Sequence, residues 1–325
     1  IVVEDGVTTI GIDAFKDFSG ATSLVLGKDV KIIGTRAFEG LTNLKSVTLG
    51  DQVKYIGAYA FHGCRKLSTL TFGAGLETIE PGAFEGLTSL ESVALGDQVK
   101  IIGSSAFYRC TNLASLTLGA GLTNIGKYAF IGCDSLKTIT VADGNTTFGS
   151  RGNCNAIIET RTNKLLFGCR GTVIPETVTA IGEYAFKDCT ALTSVTIPAS
   201  VRLIDWDAFL GCSGLTDVYC YAEANGLTWN DGNRDDFISG ETAKTTICHV
   251  LRKAPYVTAW GVGRASDVNV TFVGDLDTTS QPEPVNTTAT VTFPAGLKEI
   301  RDNAFSCNFK LDIPALPSGL AVIGE

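Results

Sequence analysis

The chain has 325 residues, 44% hydrophobic and 18% charged, so it is too apolar to be disordered and long enough for two or three ordinary domains. Lysine and arginine total 26 against 34 acidic residues; the net charge of -8 argues against a nucleic-acid binder. No apolar run nears the roughly 20 residues that span a bilayer.

The first residues, Ile1-Val2-Val3-Glu4-Asp5-Gly6, already read as the middle of a pattern, and the last, Leu320 to Glu325, stop in one. With no methionine present, the chain is expected to be a processed or trimmed piece of something longer. The pattern is a repeat. Ala-Phe recurs with Phe at 15, 38, 61, 84, 107, 130, 186, 209 and 305, and the first six are spaced by 23 residues. Isoleucine stands five residues before each Phe, as in Ile10, Ile33 and Ile56. Valine or leucine stands eight before, as in Val7, Val30 and Leu76.

A Val-x-Leu segment opens each repeat, and its alternation predicts a short strand. Glycine follows it (Gly27, Gly50, Gly73, Gly96, Gly119), as a turn would require. The Ala-Phe segment is too short for a stable helix and predicts a 3₁₀ or single helical turn. One such repeat cannot bury its apolar face alone, but a stack can. The predicted fold is an α/β leucine-rich-repeat solenoid with 23-residue units, a parallel sheet on one face and short 3₁₀ or helical turns on the other.

Three residues after each Phe the chain reads Phe18, Leu41, Cys64, Leu87, Cys110, Cys133, Cys189 and Cys212. Cysteine shares this column with Phe and Leu, so these five thiols are expected to be buried hydrophobes. A bridge between neighbours, Cys110 with Cys133 or Cys189 with Cys212, stays open, because adjacent strands lie about 4.8 Å apart. Cys154 and Cys169 flank a predicted hairpin with its turn near Arg161-Thr162-Asn163-Lys164; a disulfide and two free thiols are both open there. A bridge between Cys220 and Cys248 is a weaker candidate. Cys307 departs from the column and is expected to face solvent.

The predicted organisation is a solenoid over 1–216 with the hairpin insertion at about 144–172, a capping region over 217–276, a polar linker over 277–288 and a second, truncated stack over 289–325.

The outward strand positions form two columns. One runs Ser23, Ser46, Thr69, Ser92, Ser115, Thr138, Ser194 and Asp217; the other runs Val25, Thr48, Thr71, Ala94, Thr117, Thr140, Thr196 and Tyr219. Serine and threonine suit parallel strands and keep a face soluble, and a solenoid sheet is also an extended binding surface. Thr48, Thr71, Thr117, Thr140, Thr196 and Tyr219 are the candidate ligand-binding residues. Tyr55, Tyr59, Tyr108, Tyr128 and Tyr184, on the Phe side, are a second candidate contact patch.

Material for catalysis is thin. The two histidines, His62 and His249, sit in mid-pattern, and no nucleophile-elbow or phosphate-loop motif occurs. No acidic pair stands outside solvated turn columns. Asp231, Asn233 and Asp235 have calcium-loop spacing, but Asp236 replaces the expected glycine and Thr242 the expected glutamate, so a solvated turn is the preferred reading. No metal or cofactor is expected, and the chain is expected not to be an enzyme.

The segments "VTAIGEYAFKDCTALTSVTIP" (178–198) and "LTSVTIPASVRLIDWDAFLGC" (192–212) resemble the BspA-like leucine-rich repeats of bacterial surface proteins. The segment "NCNAIIETRTNKLLFGCRGTVIP" (153–175) resembles an insertion between such repeats, and "DVYCYAEANGLTW" and "VNVTFVGDL" resemble segments that follow the last repeat in Bacteroidetes members. The resemblance covers 1–215 strongly and 289–325 more weakly. It implies a secreted or cell-surface protein that adheres to extracellular or host proteins, without catalysis. A monomer is expected. The alternative is a glycan-binding or calcium-dependent module in 217–260, where Trp229, Trp260 and Tyr219 could stack on sugars; a structural spacer is a third reading.

Overall fold

A computed structural model describes residues 1–205 and 207–220, and the backbone of the short strands Thr228–Trp229, Ile247–Val250, Asn269–Phe272, Glu299–Ile300 and Val322–Ile323. The predicted boundaries at 277–288 and beyond lie essentially outside the described residues, as do Asp231, Asn233, Asp235 and Trp260. Two compact bodies are present. The first comprises Ile1–Thr162 with Leu166–Thr172, the second Asn163–Leu165 with Val173–Glu325. No described helix is long and apolar enough to cross a membrane.

In the first body the predicted strands form at Ser46–Thr48, Thr69–Thr71, Ser92–Ala94, Ser115–Leu118 and Thr138–Val141. Their central residues Val47, Leu70, Val93, Leu116 and Ile139 are buried, and most flanking hydroxyl residues are exposed. Pairing is parallel at a shift of one repeat, as with Val47 and Leu70.

The structure adds a second ladder. Each isoleucine five before Phe closes a two-residue strand, and six of these (Thr9–Ile10, Ile32–Ile33, Tyr55–Ile56, Thr78–Ile79, Ile101–Ile102, Asn124–Ile125) make one continuous parallel sheet. Its N–H groups donate back to the preceding repeat: Gly34 N to Ile10 O at 2.9 Å, Gly57 N to Ile33 O at 2.8 Å.

The expected helical turns around Ala-Phe are not there. Among the described residues one 3₁₀ segment occurs, Arg151–Asn153, and it lies in the insertion. The reason is backbone conformation. The residue two before Phe has positive φ in repeat after repeat (Asp13, Arg36, Tyr59, Ser105, Tyr128, Tyr184, Asp207), and so does the residue two after it (Asp17, Gly40, Gly63, Gly86, Arg109). A right-handed helix cannot hold left-handed residues at that spacing. The turns instead form a third ladder that donates forward: Arg36 N to Ala58 O at 2.8 Å, Phe38 N to Ala60 O at 2.8 Å, Gly40 N to His62 O at 2.9 Å.

The core is a column of phenylalanines. Phe15, Phe38, Phe61, Phe84, Phe107 and Phe130 stack with ring centroids 5.1 to 5.6 Å apart. That is within the range of offset aromatic pairs. Phe167 closes the column at 5.5 Å from Phe130, tilted by 52°. In the second body Phe186 and Phe209 stack at 4.9 Å.

The broad strand ladder is not uniform. It is interrupted between Thr69–Thr71 and Ser92–Ala94, and again before Ser46–Thr48. Tight and open interfaces alternate as far as Ser92–Ala94, after which Ser115–Leu118 pairs on both sides. Leu49 N donates to Thr71 O and Leu95 N to Thr117 O, both at 2.9 Å, whereas Leu26 and Phe72 make no such bond. At the tight interfaces an aspartate caps the following repeat: Ala74 N to Asp51 Oδ1 and Ala120 N to Asp97 Oδ1, both at 2.8 Å. Only glycine fits beside these caps, since a Cβ on Gly75 or Gly121 would stand 2.0 Å from the carbonyl oxygen of Asp51 or Asp97. Over the repeats capped by Asp5, Asp51 and Asp97 the structural period is therefore two repeats, and it ends where Ser115–Leu118 also pairs with Thr138–Val141.

The insertion carries the predicted strands, Ala156–Glu159 and Lys164–Gly168, and a short one before them, Phe148–Gly149, antiparallel to Ile158 and Glu159. In the second body Lys164 and Leu165 pair in parallel with Ala180 and Ile181, which restarts the two-residue ladder. The Lys164 ammonium meets the Asp205 carboxylate at 2.7 Å there.

Candidate interaction surfaces

The hydroxyl face follows from strand alternation. Each inward residue is locked in the core, so its neighbours stand outward on a rigid backbone. Register sets Ser46 beside Thr69 and Thr48 beside Thr71. Farther along, Ala94, Thr117 and Thr140 are adjacent. Thr48, Thr71, Thr117 and Thr140 are all exposed. The interruption between Thr71 and Ala94 divides this face into two panels, which the sequence columns did not show. Thr196 and Tyr219 belong to the second body, paired with each other; Thr196 is exposed and Tyr219 half-buried.

The tyrosines stand in different columns, and Tyr184 belongs to the second body. Tyr59, Tyr128 and Tyr184 share the left-handed column two before Phe, Tyr108 stands one after Phe, and Tyr55 lies on the two-residue ladder. Tyr55, Tyr59 and Tyr128 are 37%, 42% and 39% exposed, enough to offer a ring face to a partner. The Tyr59 ring leans over Gly82 of the next repeat, where a Cβ would strike it. Tyr108 lies under the Arg109 guanidinium at 5.1 Å and Tyr184 under the Lys187 ammonium at 4.7 Å, contacts that hold these rings at the surface. Burial, with the Glu80 carboxylate beside it, pushes the Tyr55 hydroxyl above its usual pKa.

The two-residue ladder presents residues that the sequence reading did not single out. Ile32 and Ile101 are exposed on it, alongside Tyr55. Next to them Glu77 is held by two lysines, Lys100 at 2.9 Å and Lys54 at 3.4 Å. The Lys100 hydrogen bond first, then that of Lys54, keeps the Glu77 carboxyl below its usual pKa. The alternating Lys54, Glu77, Lys100 column was the available signal.

His62 is bracketed by carboxylates, with Nδ1 3.3 Å from Glu39 Oε1 and Nε2 4.0 Å from Glu85 Oε1. Its ring meets Tyr59 edge-on at 5.8 Å. No serine or cysteine nucleophile is among these contacts. The column thiols point elsewhere: Cys64 Sγ to Phe38 O at 3.2 Å, Cys110 Sγ to Phe84 O at 3.3 Å, Cys133 Sγ to Phe107 O at 3.3 Å and Cys212 Sγ to Phe186 O at 3.0 Å. Burial pushes the Cys64 and Cys110 thiols up to about 12, so neither is a nucleophile at neutral pH. These cysteines are unbridged, as are Cys189, Cys154 and Cys169. Cys220 and Cys248 lie in paired strands, with Val218 opposite Cys248, but their side chains fall outside the described residues. So do those of Trp229 and His249. Among the described residues no group of three or more His, Cys, Asp or Glu could hold a metal.

A family model described as a BspA-type leucine-rich repeat region matches in six copies, over residues 1–78, 31–158, 168–227 and 285–325. No curated protein matches the chain. Among solved structures, the pneumococcal vaccine antigen PcpA is similar over 100% of this chain and 78% of its own, at 17% identity and a TM-score of 0.52. A leucine-rich repeat protein from Eubacterium ventriosum is similar over 94% and 81%, at 18% identity and a TM-score of 0.51. A leucine-rich cell surface protein from Faecalibacterium prausnitzii is similar over 98% and 83%, at 20% identity and a TM-score of 0.50. Likeness at these identities concerns the fold alone.

Proposed function

The chain belongs to the BspA-type leucine-rich repeat family, a class of protein-interaction scaffold, and from that premise we propose that it is a non-catalytic, secreted or surface-displayed protein that adheres to extracellular or host proteins. The observation that carries this reading is the hydroxyl face. Thr48, Thr71, Thr117 and Thr140 stand outward in register on strands whose alternate residues are fixed in the core. Such a face offers many weak, preorganised contacts, with little conformational entropy left to lose on binding. The raised thiol pKa values support a scaffold over a catalyst. The cell-surface description of the Faecalibacterium neighbour supports the location.

The test is binding of the whole chain to immobilised extracellular-matrix proteins. A variant carrying Thr48→Arg, Thr71→Arg, Thr117→Arg and Thr140→Arg is compared with one carrying Lys31→Ala, Lys54→Ala and Lys100→Ala on the other ladder. The reading requires the first to lose binding and the second to keep it. No binding by the parent chain, or equal binding by both variants, overturns it.

A further inference from the structure

We propose that Cys154 and Cys169 form a disulfide that closes the base of the inserted hairpin. Cys154 lies five residues before Glu159, where one strand ends, and Cys169 lies five residues after Lys164, where the next begins (159 − 154 = 169 − 164 = 5). Neither lies on a strand: Cys154 ends the 3₁₀ segment Arg151–Asn153 in a helical conformation and Asn155 has positive φ, so the two cysteines flank the base of the hairpin just beyond its strands.

The structure holds the neighbourhoods of the two cysteines together. Thr172 Oγ1 accepts from Cys169 N at 2.8 Å and donates to Asn155 O at 2.6 Å. Asn155 Nδ2 donates to Gly171 O at 3.0 Å, and Cys169 Sγ lies 3.5 Å from Asn155 O. The residue after Cys154 is thereby fixed against residues on and beyond Cys169. Both thiols are buried, at 3% and 2% exposure. A Cys154 thiolate is also among the charges that oppose ionisation of Cys169, as expected for close neighbours.

The contrast with the repeat column strengthens the assignment. Cys64, Cys110, Cys133 and Cys212 each have a carbonyl acceptor in the previous repeat at 3.0 to 3.3 Å, and Phe or Leu replaces cysteine elsewhere in that column. Packing accounts for them. Cys154 and Cys169 stand outside the column, so packing by repeat does not account for this pair.

The structure holds the reduced pair. Oxidation proceeds by exchange with an external small-molecule disulfide. One cysteine thiolate attacks that disulfide and releases its first thiolate; the second cysteine thiolate then attacks the mixed disulfide and releases the other. Two S–H bonds are lost and one S–S bond forms. Two protons and two electrons pass to the external disulfide, which leaves as two thiols. Because both sulfurs are buried in the folded chain, the exchange belongs to the folding of the hairpin.

The experiment uses the full chain exported through an oxidising compartment, denatured without reductant, alkylated and digested. The expected result is a linked peptide pair containing Cys154 and Cys169 that disappears on reduction, with Cys64 and Cys110 alkylated as single thiols in the same digest. Finding Cys154 and Cys169 alkylated singly, or bridged to any other cysteine, overturns the proposal. Because peptides are mapped, loss of binding by the hydroxyl face would not alter this result.

Discussion

Asn145 follows Leu122 by one period of 23 residues, and its side-chain amide donates to the Leu122 carbonyl at 3.0 Å. In six preceding repeats this column holds Val or Leu. Here the same amide also donates to Gly119 O at 3.0 Å, while Oδ1 accepts from Thr147 N at 2.9 Å and Phe148 N at 2.8 Å. Asn145 is the one polar side chain among the buried described residues. It stands where the regular coil gives way to the insertion, and it satisfies the backbone groups stranded there.

Restoring the apolar residue of the column should therefore destabilise the chain. Asn145→Val strands buried carbonyls and N–H groups at once, and each such loss costs about 1–3 kcal/mol. Asn145→Asp keeps the acceptors and loses both donors, so it should fall below the parent as well. Urea midpoints followed by far-UV circular dichroism check this, and a Val variant as stable as the parent would remove Asn145 from the role.

Truncating the middle of the ring column should be more damaging. Phe84 is fully buried between Phe61 and Phe107 and meets Phe72 edge-on at 5.6 Å. Phe84→Ala removes the ring and its stacking on both sides, a change that costs about 3–5 kcal/mol at comparable sites. Limited proteolysis should then cut near this repeat, while Tyr108→Ala, at the half-buried edge, leaves the digestion pattern unchanged.

The alternating interfaces predict an alternating exchange pattern. Amides of Leu49 and Leu95, bonded across the tight interfaces, should exchange slowly with deuterium. Those of Leu26 and Phe72 should exchange faster, since protection follows hydrogen bonding and local opening. Uniform protection along the four positions would count against a two-repeat period.

The column thiols predict how stability falls in alkali. A thiol whose folded pKa is raised keeps its proton longer in the folded chain. Its contribution is complete below the unfolded value of roughly 8.5 and is lost as pH rises through about 12. Unfolding midpoints should fall across that window, and Cys64→Ala with Cys110→Ala should flatten the fall while lowering the midpoint at neutral pH.

Sequence by itself determined the period, the inward columns, the Val-x-Leu strands and the burial of four of the five repeat cysteines, Cys189 being half-buried. Burial recurs residue by residue, and a core position such as Ile33, Phe61 or Leu87 tolerates only apolar side chains, so the pattern is written in residue type. The rest depended on partners a full period away. Left-handed φ at Arg36 or Tyr59 carries no signal in residue type, because the ladder to the next repeat imposes it. The two-residue strands are too short for any alternation to reveal. The break between Thr71 and Ala94 arises from how neighbouring coils meet, although each repeat alone has the residues of a continuous sheet. Asn145 breaks its apolar column in the sequence, but only the carbonyls of Gly119 and Leu122 beside it give that break a purpose. Composition and periodicity report which side chains leave water; only tertiary structure decides which backbone groups, 23 residues apart, find one another.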